Sequence, residues 1–93
     1  MKEISILIPV YNEGQNIFPL YTRLKKVLKS QKYDYEILFV NDGSTDSTEK
    51  KIIELHKKDK RVRLISFEKN YGKSGALQVG FNEVRGSIII TMD

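Results

Sequence analysis

Ninety-three residues allow one small domain, and 40% hydrophobic with 30% charged residues is the composition of an ordinary globular chain. The absence of cysteine excludes disulfides and thiolate metal sites, and no apolar run approaches the ~18 residues of a membrane-spanning helix. A net charge of +4, from 16 basic and 12 acidic residues, gathers in KKVLK (25–29), KK (50–51) and KKDKR (57–61); without a basic tail or interleaved aromatics these clusters predict solvated helix faces, not a nucleic-acid partner.

In chain order, ISILIPV (4–10) has little polar alternation and predicts a strand buried on both faces. The loop YNEGQ follows, with Asn16 placed to cap a helix whose apolar stripe is Ile17, Leu20, Tyr21, Leu24, Val27 and Leu28. That helix fades in KSQKYD, and YEILFV (35–40) predicts a second buried strand. Asp46, with Glu49 three residues on, fits a capping box for a second helix with Thr48, Ile52, Leu55 and His56 on its inner face. VRLISF (62–67) alternates more, as an edge strand does. After EKNYGKS, a third helix is marked by Ala76, Leu77, Gly80, Phe81 and Val84 with Gly86 as its C-cap, and SIIITMD (87–93) is the fourth strand. This alternation predicts an α/β fold: a Rossmann-like parallel sheet with flanking helices and right-handed crossovers.

Ligands of open parallel sheets bind beyond the carboxyl ends of the strands. Here those ends read Tyr11-Asn12-Glu13, Asn41-Asp42-Gly43-Ser44, Lys69-Asn70-Tyr71-Gly72-Lys73 and Asp93, while the strand bodies stay apolar. Asp42 and Glu13 are acceptors for ligand N–H or hydroxyl groups, and Tyr11 offers a flat face to a heterocycle. Lys73, beside a helix N-terminus, suits phosphate. Asp93 suits a hard divalent cation such as Mg²⁺ or Mn²⁺. Each has an ordinary structural role as well: turn or cap carboxylates, strand-end packing, a surface lysine. His56, inside the second helix, is read as structural. Neither the dinucleotide fingerprint nor a phosphate-binding P-loop is present; GKSG (72–75) lacks the earlier glycine.

With IPVYNE (8–13), VNDGSTDST (40–48) and EKNYGKSGAL (68–77) each at a strand end, the chain resembles glycosyltransferase family 2, most closely its polyprenyl-phosphate sugar transferases. The resemblance implies a GT-A fold, and with it the sheet order 3-2-1-4, whose nucleotide crevice opens between the first and fourth strands. It implies that Pro9, Tyr11 and Glu13 hold the nucleoside, that Asp42 binds the base and that Lys73 lies near the phosphates. Asp93 would be the first aspartate of an Asp-x-Asp motif that binds metal and diphosphate. The reaction implied is inverting transfer from a nucleotide-diphosphate sugar to an acceptor, a polyprenyl phosphate or a cell-surface glycan. It implies a cytoplasmic enzyme able to associate with membrane.

Two residues depart from the family's habit: Lys69 stands where arginine is frequent, and Asn41 where aspartate is. The second metal aspartate, the acceptor half and a catalytic base are not among these residues, so the resemblance implies the donor-binding half of a longer enzyme, cut at Asp93 and inactive alone. The last strand, with Ile88, Ile89 and Ile90 and no proline or inward charge, would then be an open edge that invites self-association. Two other readings use the same residues: a nucleotide-binding module without catalysis, and a receiver-like signalling domain. The second needs an acidic pair after the first strand, where only Glu13 stands.

Overall fold

A strand covered on both faces has no position left for a solvated side chain, and the two central strands show that constraint. In the computed structural model, which describes residues 3–29 and 32–92, β1 (Ile4–Val10) and β2 (Tyr35–Asn41) lie side by side, with every residue of β2 buried. They pair in parallel from Ile4 with Tyr35 to Val10 with Asn41. β3 (Val62–Ser66) adds to β2, and β4 (Ile88–Thr91) adds to β1 on the other side. The order is β3-β2-β1-β4, as expected from the resemblance. β3 ends one residue earlier than the sequence suggests, at Ser66.

The helices divide between the faces. α1 (Gly14–Leu28) and α2 (Thr48–Lys58) cover one face, where Ile17, Leu24, Leu28, Ile52 and Leu55 pack with Ile6, Ile8, Ile37 and Phe39. α3 (Lys73–Glu83) covers the other, setting Ala76 against Leu7, Leu38 and Val40. Strand periodicity of two explains the split: odd positions of β2 face one layer and even positions the other. Among the described residues no helix is long and apolar enough to cross a membrane.

Several local expectations are corrected. Asn16 is not the cap of α1; Glu13 holds that position, and Asn16 lies inside the first turn, donating through Nδ2 to Glu13 Oε2 at 2.7 Å. Val27 is 63% exposed, because the stripe that meets the sheet is narrower than the apolar residues available. Phe81 is likewise 45% exposed. Asp46 precedes the cap residue Ser47, and its carboxylate takes the Thr48 N–H at 3.0 Å. Among the described residues Glu49 makes no return bond, so the capping box does not form. Gly86 is not the C-cap of α3; α3 ends at Glu83 and Val84 is its C-cap. A Cβ on Gly86 would stand 2.7 Å from Ser5 Oγ and 2.8 Å from the Ile4 carbonyl carbon, so its lack of a side chain lets the α3–β4 connection run against β1. His56 is structural as expected, its Nδ1 lying 2.6 Å from the Val62 carbonyl oxygen.

One charge lies at the centre of this frame. Glu36, in mid-β2, is fully buried on the α3 face. Its Oε2 accepts from Ser5 Oγ at 2.6 Å and from the Arg85 N–H at 2.6 Å, and its Oε1 accepts from Arg63 Nη1 at 2.7 Å. Ser5 Oγ in turn accepts the Gly86 N–H at 2.8 Å. Burial pushes the carboxyl up, but the bonds from Ser5, Arg85 and Arg63 outweigh it and hold Glu36 below the usual carboxylate range. A carboxyl depressed in the fold contributes stability above its unfolded value, near ~4.3, and loses it as pH falls through the lower folded value. Glu36→Gln places an amide against donors that need an acceptor and should cost roughly 3–5 kcal/mol at pH 7. Urea unfolding should show that cost shrinking as pH falls below the unfolded value of ~4.3, where the unfolded carboxyl takes up a proton that the folded one resists. A constant difference between pH 7 and pH 3 would remove the assignment.

Candidate functional site

Three loops meet at the carboxyl ends of the strands, and polar side chains of VNDGSTDST fasten them. Asn41 Oδ1 accepts the Ser44 N–H at 3.1 Å, closing a side-chain turn, and Asn41 Nδ2 reaches Ser66 Oγ at 3.2 Å. Toward the β1–α1 loop, Ser44 Oγ accepts the Asn12 N–H at 2.9 Å, and Asn12 Oδ1 accepts the Thr45 N–H at 2.8 Å. Asn12 adopts a left-handed backbone (φ 51) to do this, a conformation that asparagine tolerates. Thr48 Oγ1 accepts the Glu13 N–H at 2.9 Å, and Asp46 Oδ2 accepts the Gly14 N–H at 3.0 Å. The Thr48 hydroxyl donates to Asp46 Oδ1, and that bond leads those holding the Asp46 carboxyl below its ordinary value.

Toward the β3–α3 loop the fastener is Asp42, only 4% exposed. Its Oδ1 accepts the Tyr71 N–H at 2.7 Å; its Oδ2 accepts the Gly72 N–H at 2.9 Å and Asn70 Nδ2 at 3.0 Å. Asn70 Nδ2 also reaches the Asp42 carbonyl oxygen at 3.1 Å. An ionised carboxylate offers about four acceptor positions, so these bonds leave one, on Oδ1. Gly43 makes the approach possible: its φ is 74°, and a Cβ there would lie 2.3 Å from the Lys69 carbonyl carbon and 2.4 Å from the Asn70 nitrogen.

Beside these loops is a cavity of about 270 Å³. It is lined by Pro9, Tyr11, Glu13, Asp42 and Lys73, five residues singled out from the sequence, together with Asn70 and Gly72. Tyr11 is half-exposed, and Glu13 Oε2 accepts from Asn16 Nδ2. Lys73 opens α3, where the first N–H groups have no intrahelical acceptor. Asn70 and Gly72 were visible in the sequence as strand-end residues but carried no role, because the partner that gives them one, Asp42, is 28 to 30 positions away. Asp93 lies outside the described residues. Among those described, no group of three or more His, Cys, Asp or Glu side chains is arranged to hold a metal ion, and the cavity's Asp42 oxygens already receive chain donors. The donor set therefore does not by itself make a metal site.

The chain belongs to glycosyl transferase family 2, which it matches over residues 5–93. It is 49% identical over 90 residues to CsbB of Bacillus subtilis strain 168, a protein named as a glycosyltransferase, covering 97% of this chain and 27% of that one. It is 40% identical over 94 residues to the undecaprenyl-phosphate 4-deoxy-4-formamido-L-arabinose transferase of Yersinia pestis strain Pestoides F, covering 100% of this chain and 29% of that one. Among solved structures it superposes on glucosyl-3-phosphoglycerate synthase from Mycobacterium tuberculosis, in complex with Mn²⁺, UDP and glucosyl-3-phosphoglycerate. The TM-score is 0.76 at 26% identity, over 99% of this chain and 33% of that one. The fold is the Rossmann-like part of a GT-A glycosyltransferase, and the chain spans about a third or less of the length of these relatives.

The loop clasp gives a direct test. Gly43→Ala should strain a left-handed position and collide with the backbone at Lys69 and Asn70, costing on the order of 1–3 kcal/mol. Amide exchange should accelerate at Tyr71 and Gly72 while the β1–β2 ladder keeps its protection. Unaltered exchange at both residues would show that the two loops are held by something else.

Proposed function

We propose that this chain is the donor-binding part of an inverting glycosyltransferase that moves a sugar from a nucleotide-diphosphate sugar to an acceptor oxygen. The observation that carries the reading is the convergence of Pro9, Tyr11, Glu13, Asp42 and Lys73 around one cavity at the carboxyl ends of a family 2 sheet. In this reading the base lies against Tyr11. The remaining acceptor position of Asp42 takes a base N–H, and Glu13 takes ribose hydroxyls. Lys73 and the first N–H groups of α3 face the phosphates, where cations and a helix N-terminus both favour negative charge. Attack of the acceptor oxygen forms the new bond at the anomeric carbon as the bond to the diphosphate breaks, and these donors stabilise the departing charge.

Asp93 would supply one carboxylate to a divalent cation, Mg²⁺ or Mn²⁺, supported by the Mn²⁺ in the related complex; the remaining ligands and the catalytic base would come from elsewhere in the protein. The undecaprenyl phosphate in the Yersinia relative's name supports a polyprenyl phosphate acceptor and so a role in the cell envelope, at the cytoplasmic face of a membrane. A binding module without catalysis would use the same cavity, and a transfer assay with the protein carrying this chain separates the two.

Titration calorimetry with UDP and GDP checks the cavity. Tyr11→Ala should weaken nucleotide affinity by about 1–3 kcal/mol, the usual worth of one stacked base. Lys73→Ala should weaken the diphosphate and leave the free nucleoside nearly unaffected. Affinities within twofold of wild type in both variants would dismiss the assignment.

We also propose that β4 recruits a further strand. Ile88, Ile89 and Ile90 are 55%, 39% and 45% exposed, and among the described residues β4 pairs only with β1. Unpaired N–H and C=O groups beside apolar side chains promote strand addition. The 93-residue chain should therefore sediment as a concentration-dependent assembly, and Ile89→Lys should shift it toward monomer. A monomer at every concentration would refute the proposal.

A further inference from the structure

Cations from two of the basic clusters that nucleotide binding leaves unused converge in the fold. Lys25 and Lys29 at the end of α1, Lys32 in the α1–β2 connection and Arg61 ahead of β3 come from two separate segments, yet line one cavity of about 620 Å³ at the amino ends of the strands. Asp34 is the acidic residue in that lining. Two of the cations are held in place. Lys25 Nζ donates to Tyr35 Oη at 2.8 Å and to Asp59 Oδ2 at 3.1 Å. The Arg61 guanidinium lies 4.8 Å from the centre of the Tyr35 ring, with its Nε 3.8 Å from Asp34 Oδ1. Lys29 and Lys32 are exposed, and among the described residues neither has an ion-pair partner. Tyr33, 52% exposed, adds a ring and a hydroxyl to the rim.

Lysines at a helix C-terminus complement its dipole, which accounts for Lys25 and Lys29. It does not account for Lys32 and Arg61, which belong to neither helix and still point the same charge at the same space. The volume falls within the ~300–1,000 Å³ of small-molecule sites, far beyond what one water-sized ion fills. Ammonium and guanidinium groups around a hollow of this size suit several phosphate oxygens at once. We infer that this cavity binds two or more phosphoryl groups at once, on one polyphosphate anion or on neighbouring lipid headgroups, separately from the nucleotide cavity. β1 and β2 have seven residues each, so the two cavities stand ~23 Å apart at ~3.3 Å per residue. That exceeds twice the ~8 Å screening length at physiological salt, so the two sites fill independently.

Inorganic tripolyphosphate, titrated into the protein and followed by amide chemical shifts, is the test. Shifts should cluster at Lys29, Tyr33 and Arg61, and Lys29→Glu with Lys32→Glu should lower affinity at least fivefold while UDP affinity stays within twofold. Lys50→Glu, a charge reversal on α2 outside this cavity, should change tripolyphosphate binding less than twofold. Shifts confined to residues 71–74, a smaller loss in the double variant, or an equal loss in Lys50→Glu would overturn the inference. Co-sedimentation with phosphatidylglycerol and phosphatidylcholine vesicles names the source of the phosphate. Capture of wild type, but not the double variant, by phosphatidylglycerol identifies lipid headgroups; tripolyphosphate binding without capture identifies a free phosphate compound.

Discussion

The carboxylate of Asp42 is the point on which the carboxyl end of this sheet depends. A parallel sheet delivers its strands to one edge and leaves the connecting loops with unpaired N–H groups, each of which needs an acceptor when buried. Asp42 answers for Tyr71, Gly72 and the Asn70 amide together. Its neighbours Ser44, Thr48 and Asp46 do the same for the N–H groups of Asn12, Glu13 and Gly14 after β1, and Thr45 donates its own N–H to Asn12 Oδ1. One eight-residue stretch therefore fixes the loops on both sides of it. Good turn chemistry and a binding site are not competing explanations of NDGSTDST: the turn residues are what give the cavity fixed walls.

A second polar centre, around Glu36, fixes the other end of the α3 layer. The α3–β4 connection is anchored through the N–H groups of Arg85 and Gly86, so the position of β4 is set by a charge buried in β2 and relayed through Ser5 of β1. α3 is thus clamped at both termini by carboxylates of β2 or its loop, Asp42 ahead of it and Glu36 behind it. Its own apolar contact is modest, with Ala76 and Gly80 as its buried residues. The polar clamps compensate for that thin packing and orient the helix, which in turn orients Lys73 toward the cavity.

The central strands were legible because burial on both faces leaves an unbroken apolar run, and the strand order through the family resemblance, whose nucleotide crevice sits where that order reverses. The cavity residues were legible as polar groups placed where apolar runs stop. What could not be read were roles that depend on distant partners. Glu36 looked like an ordinary polar position in YEILFV, since nothing local marks Ser5, Arg63 and Arg85 as its donors. Gly86 had the spacing of a helix cap, but its small size serves β1 across the sheet. Asn16 and Asp46 had the right residue types for capping, but α1 is capped three residues earlier, at Glu13, and α2 one residue later, at Ser47, which gave them different bonds.

Charge is divided along the strands. The carboxyl end presents Glu13, Asp42, Asp46 and Glu49 among amides and hydroxyls, while the last turns of α1 and α2 carry Lys25, Lys26, Lys57 and Lys58 at the amino end. Part of this division is forced by architecture. Every crossover helix runs antiparallel to its strands, so all helix C-termini collect at the amino edge, where cations relieve the dipole. α3 departs from that pattern: it has no acidic residue in its first turn and no basic residue in its last. An acidic first turn would stabilise the helix but repel phosphate from its N–H groups. The helix beside the cavity thus forgoes the dipole contribution that α2 takes from Glu49 in its first turn, and its start stays open to an anion.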